Sequence, residues 1–254
     1  MLIGPAGTGK TTTMASLVAV WQQAAGRPVR GLAPTAAAAS VLRTETGMDH
    51  TATIDLWATR RAHGHPSARF APGELVIVDE AGMAGTLNLD RVVAAARQDG
   101  ASVLLVGDPY QLAAVASGGA MRLIQHDVGA AQLHTVWRFS DRDPVTGARV
   151  IRQWEADVSL AIRGGNEAGL EPYFAHDRIT SGSREAMTDQ VYAAWMADQD
   201  AGTESVMLAA DNTTVQELSE RARADRVTAG QVSTTGGVQL HNGSIASLGD
   251  KIVT

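Results

Sequence analysis

The 254-residue sequence lacks cysteine, which excludes a disulfide framework and a thiolate metal site. It also lacks an apolar run of about 18 residues, the length of a membrane-spanning helix, and a signal sequence at its start. We therefore expect no membrane segment and a cytoplasmic location. Lysine occurs only as Lys10 and Lys251, and the net charge is −6 at pH 7. Such a chain is not a typical dedicated nucleic-acid binder, although a local groove can hold a strand through amides, hydroxyls and a few arginines.

Hydrophobic residues make up 44% of the sequence, which is enough for the cores of one large or two modest domains. Apolar strand patterns alternate with helical patterns, which predicts an α/β protein with a parallel sheet covered by helices on both faces. We expect Val93 and Ile162 to face inward from their helices. The predicted elements include helices at residues 11–25, 36–46, 86–99, 150–163 and 183–200, a helix capped by Asn212 or Thr213, and strands at 29–33 and 206–210.

One of the two lysines lies in a glycine-rich segment near the start of the chain. The pattern Gly-x-x-x-x-Gly-Lys-Thr occupies residues 4–11. Such a loop turns its backbone N–H groups towards a phosphate, and the following helix N-terminus favours the same anion. Lys10 then reaches the β- and γ-phosphates of a nucleoside triphosphate, and the Thr11 hydroxyl holds Mg²⁺. The predicted nucleotide-binding residues are Gly4, Pro5, Ala6, Gly7, Thr8, Gly9, Lys10, Thr11 and Thr12.

Two acidic residues end a buried strand in the segment Glu74–Ala81. At the carboxyl edge of a parallel sheet, Asp79 is placed to bind Mg²⁺ through water. Glu80 is placed to orient and deprotonate the water that attacks the γ-phosphate. The alternative is an ordinary strand that ends in solvated carboxylates.

Another apolar strand, within Ser102–Leu112, runs into a Gly-Asp-Pro turn and is followed by Gln111. An uncharged amide at this edge can contact the γ-phosphate or the attacking water and change partners when phosphate leaves. Gln111 is therefore a candidate nucleotide sensor. The alternative is a polar turn residue without such a role.

These segments resemble the motifs of the superfamily 1 helicases. Residues 4–11 are similar to motif I, residues 78–81 to motif II and residues 107–112 to the highly specific motif III. Residues 31–38 resemble motif Ia, whose loop touches the backbone of a single strand, and residues 133–139 resemble motif IV.

The resemblance implies roles for further residues. It implies that Pro34, Thr35 and Thr53 contact nucleic acid and that Arg138 is a catalytic residue that reaches the γ-phosphate. Asp55 stands where the RecD-like group usually has histidine. Residues 60–72 form an excursion, a polar segment before the motif II strand, where the RecD-like group carries a small β-hairpin that splits the duplex. Because this segment is short, we expect at most a reduced version of that hairpin, called the pin.

The resemblance is strongest to the helicase region of conjugative relaxases of the TraA/TrwC kind, within the RecD-like, 5′-to-3′ branch. It continues through residues 185–195, 207–212, 218–223 and 248–254. It implies a first RecA-like, phosphate-loop domain at residues 1–139 and a helical connecting segment at 140–204. The polar, Pro-containing residues 140–144 themselves predict a hinge between domains. Residues 205–254 are then the start of an incomplete second RecA-like domain.

By this resemblance the chain is an ATP-dependent DNA helicase or translocase, in which hydrolysis of ATP with Mg²⁺ drives movement along single-stranded DNA. Other conjugation or recombination proteins are candidate partners. The family's motifs V and VI are not in the sequence, so we expect this chain to bind Mg-ATP, hydrolyse it weakly and not unwind a duplex. Two alternatives stay open: another phosphate-loop switch or kinase, and a catalytically idle module that binds ATP and DNA.

Overall fold

The computed structural model describes residues 1–111, 119–240 and 243–251. The chain divides into two units, Met1–His176 and Asp177–Thr254. The domain boundaries implied after residues 139 and 204 stay predictions. Leu112 of the motif III segment and residues 252–254 of the last family segment lie outside the described residues.

A parallel sheet organises the first unit. Its strands within the described residues are β1 (Leu2–Ile3), β2 (Val29–Ala33), β3 (His50–Thr53), β4 (Leu75–Val78), β5 (Ser102–Gly107) and β6 (Ala131–Gln132). They lie in the order β3-β2-β4-β5-β1-β6, and every neighbouring pair is parallel. Strand β1 is therefore interior, so the loop after it has neighbours on both sides. The predicted α/β fold with a parallel, RecA-like sheet is confirmed.

Helices cover both faces of this sheet. In the described part of the first unit they begin with α1 (Lys10–Ala25), α2 (Ala36–Thr46), α3 (Ile54–Ala62), α4 (Thr86–Asp99) and α5 (Ala120–Val128). Helices α1 and α2 bury Met14 and Leu42 in one apolar cluster together with Ile77 of β4. Helix α4 buries Val92 in a second cluster together with Val76 of β4. Neighbouring residues of β4 thus enter different cores, which explains why this central strand is apolar throughout.

Local signals set the ends of the predicted helices. The Thr35 hydroxyl accepts a hydrogen bond from the Ala38 N–H at 3.1 Å and caps the start of α2. Gly47 ends α2, and Gly100 ends α4, each in the left-handed conformation that glycine adopts at low cost. These helices have the bounds that the sequence predicts.

Strand β3 and helix α3 are elements that the sequence analysis did not predict. Strand β3 is a polar edge strand, paired only with β2 among the described residues. It leads directly into α3, where the Thr53 hydroxyl accepts a hydrogen bond from the Leu56 N–H at 3.1 Å. The apolar pattern of a buried strand is missing from His50–Thr53, and therefore no strand is predicted there from the sequence.

Residues 63–74 connect α3 to β4 at the amino edge of the sheet. They contain a 3₁₀ turn at Pro66–Ala68 and, throughout this described segment, no strand. Phe70 stacks on Trp57 of α3, with ring centroids 5.3 Å apart. The excursion therefore packs against the domain, and its described residues 63–74 form no β-hairpin.

A hairpin and two further helices complete the first unit. They are β7 (Ser140–Arg142), β8 (Arg149–Ile151), α6 (Gln153–Arg163) and α7 (Glu171–Ala175), with a 3₁₀ turn at Glu167–Leu170. The Asp143 carboxylate holds the hairpin turn by accepting hydrogen bonds from the N–H groups of Val145 and Thr146 at 2.9 and 2.7 Å. The predicted helix start at residue 150 was wrong, because residues 149–151 pair with residues 140–142 instead.

Two residues predicted to face a core are exposed. Val93 is 43% exposed and Ile162 is 41% exposed. In α4 the buried stripe runs through Leu89 and Val92, and Val93 lies about 100° further round the helix than Val92. In α6 the buried residues are Ala156 and Val158.

The second unit contains two helices and a short antiparallel pair within its described residues. These are α8 (Arg184–Asp200), α9 (Asn212–Thr228), β9 (Val238–Gln239) and β10 (Ile245–Ala246). The predicted strand at residues 206–210 was wrong: this segment pairs with no strand in the described chain, and Val206 and Leu208 are 82% and 85% exposed. Residues with a strand-like pattern form a β-strand only when a neighbouring strand supplies hydrogen-bond partners for their backbone.

The cap of α9 also differs from the prediction. Asp211 caps the helix by accepting a hydrogen bond from the Thr214 N–H at 2.9 Å, so neither Asn212 nor Thr213 is the cap. Among the helices that the structure describes, none is long and apolar enough to cross a membrane.

Candidate nucleotide-binding site

The glycine-rich loop connects β1 to α1 at the carboxyl edge of the sheet. Its first residue, Gly4, donates its N–H to the Gly107 carbonyl at the end of β5, at 3.2 Å. Inside the loop the Thr8 hydroxyl donates to the Pro5 carbonyl at 2.8 Å. Gly9 precedes the helix with φ of +83°, a conformation that favours glycine. The N-terminus of α1 therefore opens into a tightly turned loop, as a phosphate-binding loop requires.

The motif IV segment lies directly against this loop. The Trp137 N–H donates to the Gly7 carbonyl at 2.7 Å. A Cβ added to Gly7 would lie 2.3 Å from the Cβ of Arg138, so only glycine fits there. The backbone of Arg138 is thus fixed beside the loop, while its side chain is exposed.

Lys10 extends across the loop that precedes it. Its Nζ donates to the carbonyls of Gly4 at 2.9 Å and Pro5 at 3.1 Å. Burial raises the pKa of the Asp79 carboxyl, and the charge of Lys10 opposes this rise in part. Lys10 is therefore a cation that is bonded to the loop and acts on the acidic residues that follow β4.

Asp79 and Glu80 follow β4 in an unusual backbone conformation. The Glu80 N–H donates to Oδ1 of Asp79 at 2.9 Å. Glu80 has φ of +49° and ψ of +39°, in the left-handed region that non-glycine residues rarely adopt. A short 3₁₀ turn, Ala81–Met83, begins immediately after it. Strain of this kind occurs preferentially at functional sites, where the surrounding structure holds a side chain in one direction.

Burial raises the pKa of the Asp79 carboxyl above its ordinary value of 3.8. The negative charges of Glu80 and Glu45 act in the same direction, whereas the Glu80 N–H and the Lys10 ammonium oppose them. The carboxylate is therefore partly desolvated and lacks full compensation from the protein. A site with this imbalance favours the binding of a cation.

The motif III turn packs against the segment after Glu80. A Cβ on Gly107 would lie 3.2 Å from the Ala81 nitrogen, so the end of β5 and the 3₁₀ turn are in close contact. Asp108 is buried, with 3% of its surface exposed. Gln111, which is exposed, donates its N–H to the Asp108 carbonyl at 3.3 Å.

The residues predicted to touch nucleic acid lie further along the same edge. Ala33 and Thr53 are register partners in β2 and β3, so Pro34 and Thr35 lie beside Thr53. Both threonine hydroxyls cap helices, as described above, and the N-termini of α2 and α3 are therefore neighbours. Asp55 accepts a hydrogen bond from Nδ2 of Asn88 at 3.1 Å, which ties α3 to α4.

A family model described as AAA domain matches residues 1–184. The chain belongs to the AAA domain family. It is 32% identical over 255 residues to the probable conjugal transfer protein TraA of Sinorhizobium fredii, across 99% of this chain and 22% of that protein. It is 30% identical over 233 residues to the RecBCD enzyme subunit RecD of Mycolicibacterium smegmatis, across 78% of this chain and 41% of the relative. The predicted resemblance to RecD-like helicases and TraA-type proteins is confirmed.

This AAA domain spans only about a fifth of its TraA relative and two fifths of its RecD relative. The Pif1 helicase of Candida albicans has a crystal structure that aligns with a TM-score of 0.47 and 16% sequence identity. That alignment covers 76% of this chain and 49% of the Pif1 chain.

As an AAA domain the chain is of a nucleotide-binding family, and its donors fit a hydrated Mg²⁺ ion. The hydroxyl of Thr11, in the first turn of α1, and the carboxylate of Asp79 are hard oxygen ligands. Mg²⁺ typically takes one or two protein oxygens and completes its shell with water and phosphate oxygens. The raised pKa of Asp79 agrees with a carboxylate that gains from a nearby cation.

One contact of this edge was missed by the sequence analysis. Arg163, the last residue of α6, forms an ion pair with Asp108 of the motif III turn. The two residues are 55 positions apart, and α6 offers no local pattern that singles out its last arginine. Only the fold brings them together.

Proposed function

We propose that this AAA domain is the ATP-hydrolysing part of a DNA helicase or translocase that moves along single-stranded DNA, 5′ to 3′, in conjugative transfer or recombination. The observation that carries the proposal is the meeting of three predicted motifs at one sheet edge. The Gly4 N–H bonds to the end of β5, and β5 in turn packs on the turn after Glu80. Parallel α/β sheets bind their ligands at this edge.

The chain's own residues divide the work of hydrolysis. The loop from Gly4 to Thr12 binds the phosphates through backbone N–H groups, and Lys10 leaves the loop carbonyls to bind the β- and γ-phosphates. Thr11 and Asp79 would hold Mg²⁺, which adds positive charge against the phosphate oxygens when bound. Glu80 accepts a proton from the attacking water.

Two further residues complete the proposed reaction. Arg138 is held beside Gly7 by its backbone, and its exposed side chain is free to stabilise charge on the γ-phosphate. Gln111, at the end of the motif III turn, would contact the γ-phosphate or the attacking water. Both roles require these side chains to reach a γ-phosphate bound at the loop.

The proposed DNA contacts rest on the two neighbouring helix N-termini. The amide ends of α2 and α3 carry partial positive charge and favour phosphate groups. The Pro34, Thr35 and Thr53 segments that precede these helices would hold the strand backbone without reading its sequence. This grip needs no overall basic surface, which agrees with the net charge of −6.

The relatives named TraA and RecD support a setting in conjugal transfer or recombination. We therefore propose other proteins of those processes as partners. The cytoplasmic location expected from the sequence stays a prediction.

The test is the steady-state rate of Mg-ATP hydrolysis, with and without single-stranded DNA, at a stated salt concentration. Lys10→Ala should abolish turnover and weaken nucleotide binding. Glu80→Gln should keep binding but slow turnover by on the order of 10² to 10⁴, the usual worth of a general base. Lys251→Ala, which changes the other lysine, is the matched control and should behave like the unaltered chain.

Two results would contradict the proposal. Unchanged turnover in Lys10→Ala would exclude the loop as the triphosphate site. Tight binding of Mg-ATP and DNA by a chain that never hydrolyses ATP would favour the idle binding module.

A further inference from the structure

Arg163 and Asp108 form a bidentate ion pair at the motif III turn. Nε of Arg163 donates to Oδ2 of Asp108 at 2.9 Å, and Nη2 donates to Oδ1 at 2.6 Å. The Asp108 side chain is 1% exposed and that of Arg163 is 26% exposed. Two parallel charge-assisted hydrogen bonds fix both distance and orientation, so this pair defines where the carboxylate lies.

The same two side chains also hold the residue after the proline. The guanidinium of Arg163 lies over the Tyr110 ring, 4.4 Å from its centroid. The Tyr110 N–H donates to Oδ1 of Asp108 at 3.0 Å, and the Gln111 N–H donates to the Asp108 carbonyl. Arg163 therefore contacts the turn on both sides of Pro109, and the backbone that it fixes carries Gln111.

Arg163 and Tyr110 also share a cavity with the glycine-rich loop. Arg163 and Tyr110 line a cavity of about 280 Å³, and Gly4 and Pro5 of the loop line the same cavity. The end of α6 therefore faces the glycine-rich loop across this cavity. A change in the position of Asp108 would therefore move the groups next to it at the carboxyl edge of the sheet.

We infer that Arg163 is a positioning residue for ATP hydrolysis: through Asp108 and Tyr110 it holds the motif III turn so that Gln111 faces the nucleotide. The inference rests on the proposed ATPase function. Without the guanidinium, the buried Asp108 carboxylate loses its cation, and the turn must rearrange to hydrate the charge. Because the phosphate loop does not depend on Arg163 for its own hydrogen bonds, nucleotide binding should survive this rearrangement.

The chain contains a matched control for this pair. Arg61 and Asp99 form another bidentate ion pair, with hydrogen bonds of 2.5 and 3.2 Å and side chains 22% and 14% exposed. The Arg61 guanidinium also lies over an aromatic ring, that of Phe70, at 5.9 Å. This pair belongs to the amino edge of the sheet, away from the proposed site, so its loss measures the structural cost alone.

The experiment compares Arg163→Ala, Arg163→Lys, Arg61→Ala and Lys10→Ala in the full chain, by kcat and KM for Mg-ATP and by thermal unfolding. Arg163→Ala should lower kcat by on the order of 10² while KM changes less than about threefold, because misplacement of a group near the chemistry has this effect. Arg163→Lys should restore part of kcat, since lysine keeps the charge but cannot form the fork or stack on Tyr110. Arg61→Ala should lower the unfolding temperature to a similar extent and leave kcat unchanged.

Equal kcat values for Arg163→Ala and Arg61→Ala would overturn the inference and leave the ATPase proposal intact. A raised KM with unchanged kcat for Arg163→Ala would also overturn it, since the residue would then serve binding. The Lys10→Ala variant separates the two ideas: if the unaltered chain hydrolyses ATP no faster than this variant, the proposed function and the inference both fail.

Discussion

At the proposed nucleotide site, the partly desolvated carboxylate of Asp79 lowers the free energy of unfolding. Its carboxyl is partly buried, and its pKa is raised above 3.8. Between that ordinary value and the raised one, the folded chain binds more protons at Asp79 than the unfolded chain does. The contribution of Asp79 to the free energy of unfolding therefore falls as pH rises through this window, and the cost is fully present above the raised pKa.

At a pH above the raised pKa, we expect metal-free Asp79→Asn to be as stable as the unaltered chain, or more stable, because the substitution removes a desolvated charge. Stabilisation by Mg-ATP should be lost in the same variant. Thermal unfolding with and without Mg-ATP checks both points. In the unaltered chain, Mg²⁺-dependent nucleotide affinity should decrease as pH falls through the raised pKa, since the protonated carboxyl is no metal ligand. A large loss of stability in metal-free Asp79→Asn would show that the carboxylate is structural.

At the scale of elements, the phosphate loop is defined by what packs against it as well as by its own sequence. Gly7 and Gly9 both have positive φ, of +78° and +83°. A Cβ on Gly9 would meet nothing within 4 Å, whereas one on Gly7 would collide with Arg138. A substitution at Gly9 therefore tests backbone strain alone. A substitution at Gly7 tests strain together with the contact between the loop and the motif IV segment.

We expect Gly9→Ala to cost about 1 to 2 kcal/mol of stability, the usual cost of a left-handed alanine. Gly7→Ala should cost more, because the segment around Arg138 must also move. Its turnover should fall further than that of Gly9→Ala at equal temperature. Chemical denaturation and steady-state ATPase measurements on both variants check this. Equal losses of stability would mean that the contact between Gly7 and Arg138 is easily relieved.

The scale of the element also separates what was predictable from what was not. Helices α2 and α4 have their predicted bounds because Gly47 and Gly100 are local stop signals. Strand β3 was missed because its residues are polar, and the strand at 206–210 was predicted from an apolar pattern whose backbone has no partner in the described chain. A pattern states which residues could form a strand, but pairing decides whether they do.

At the scale of the whole molecule, the first unit contains the parallel sheet, both apolar clusters and every residue proposed for nucleotide chemistry. A unit with its own core is expected to fold alone. We therefore expect residues 1–176 to fold and to bind Mg-ATP. At about 100 times the Kd, the ligand should add about 2.7 kcal/mol to the free energy of unfolding.

Thermal unfolding of residues 1–176 over a series of Mg-ATP concentrations tests this expectation, with Lys10→Ala in the same fragment as the control. A fragment that unfolds without cooperativity would show that the second unit is needed for folding. A folded fragment that Mg-ATP does not stabilise would place part of the nucleotide site outside residues 1–176.

The sequence by itself determined the parallel α/β class, and it located the glycine-rich loop, the acidic pair after β4 and the turn that carries Gln111. Each of these follows from residues within a few positions of one another, so local chemistry and periodicity suffice. The tertiary structure alone decided that Arg138 lies against Gly7 and that Arg163 holds Asp108. These contacts join segments far apart in the chain, and only the strand order of the sheet and the packing of α6 bring them within bonding distance.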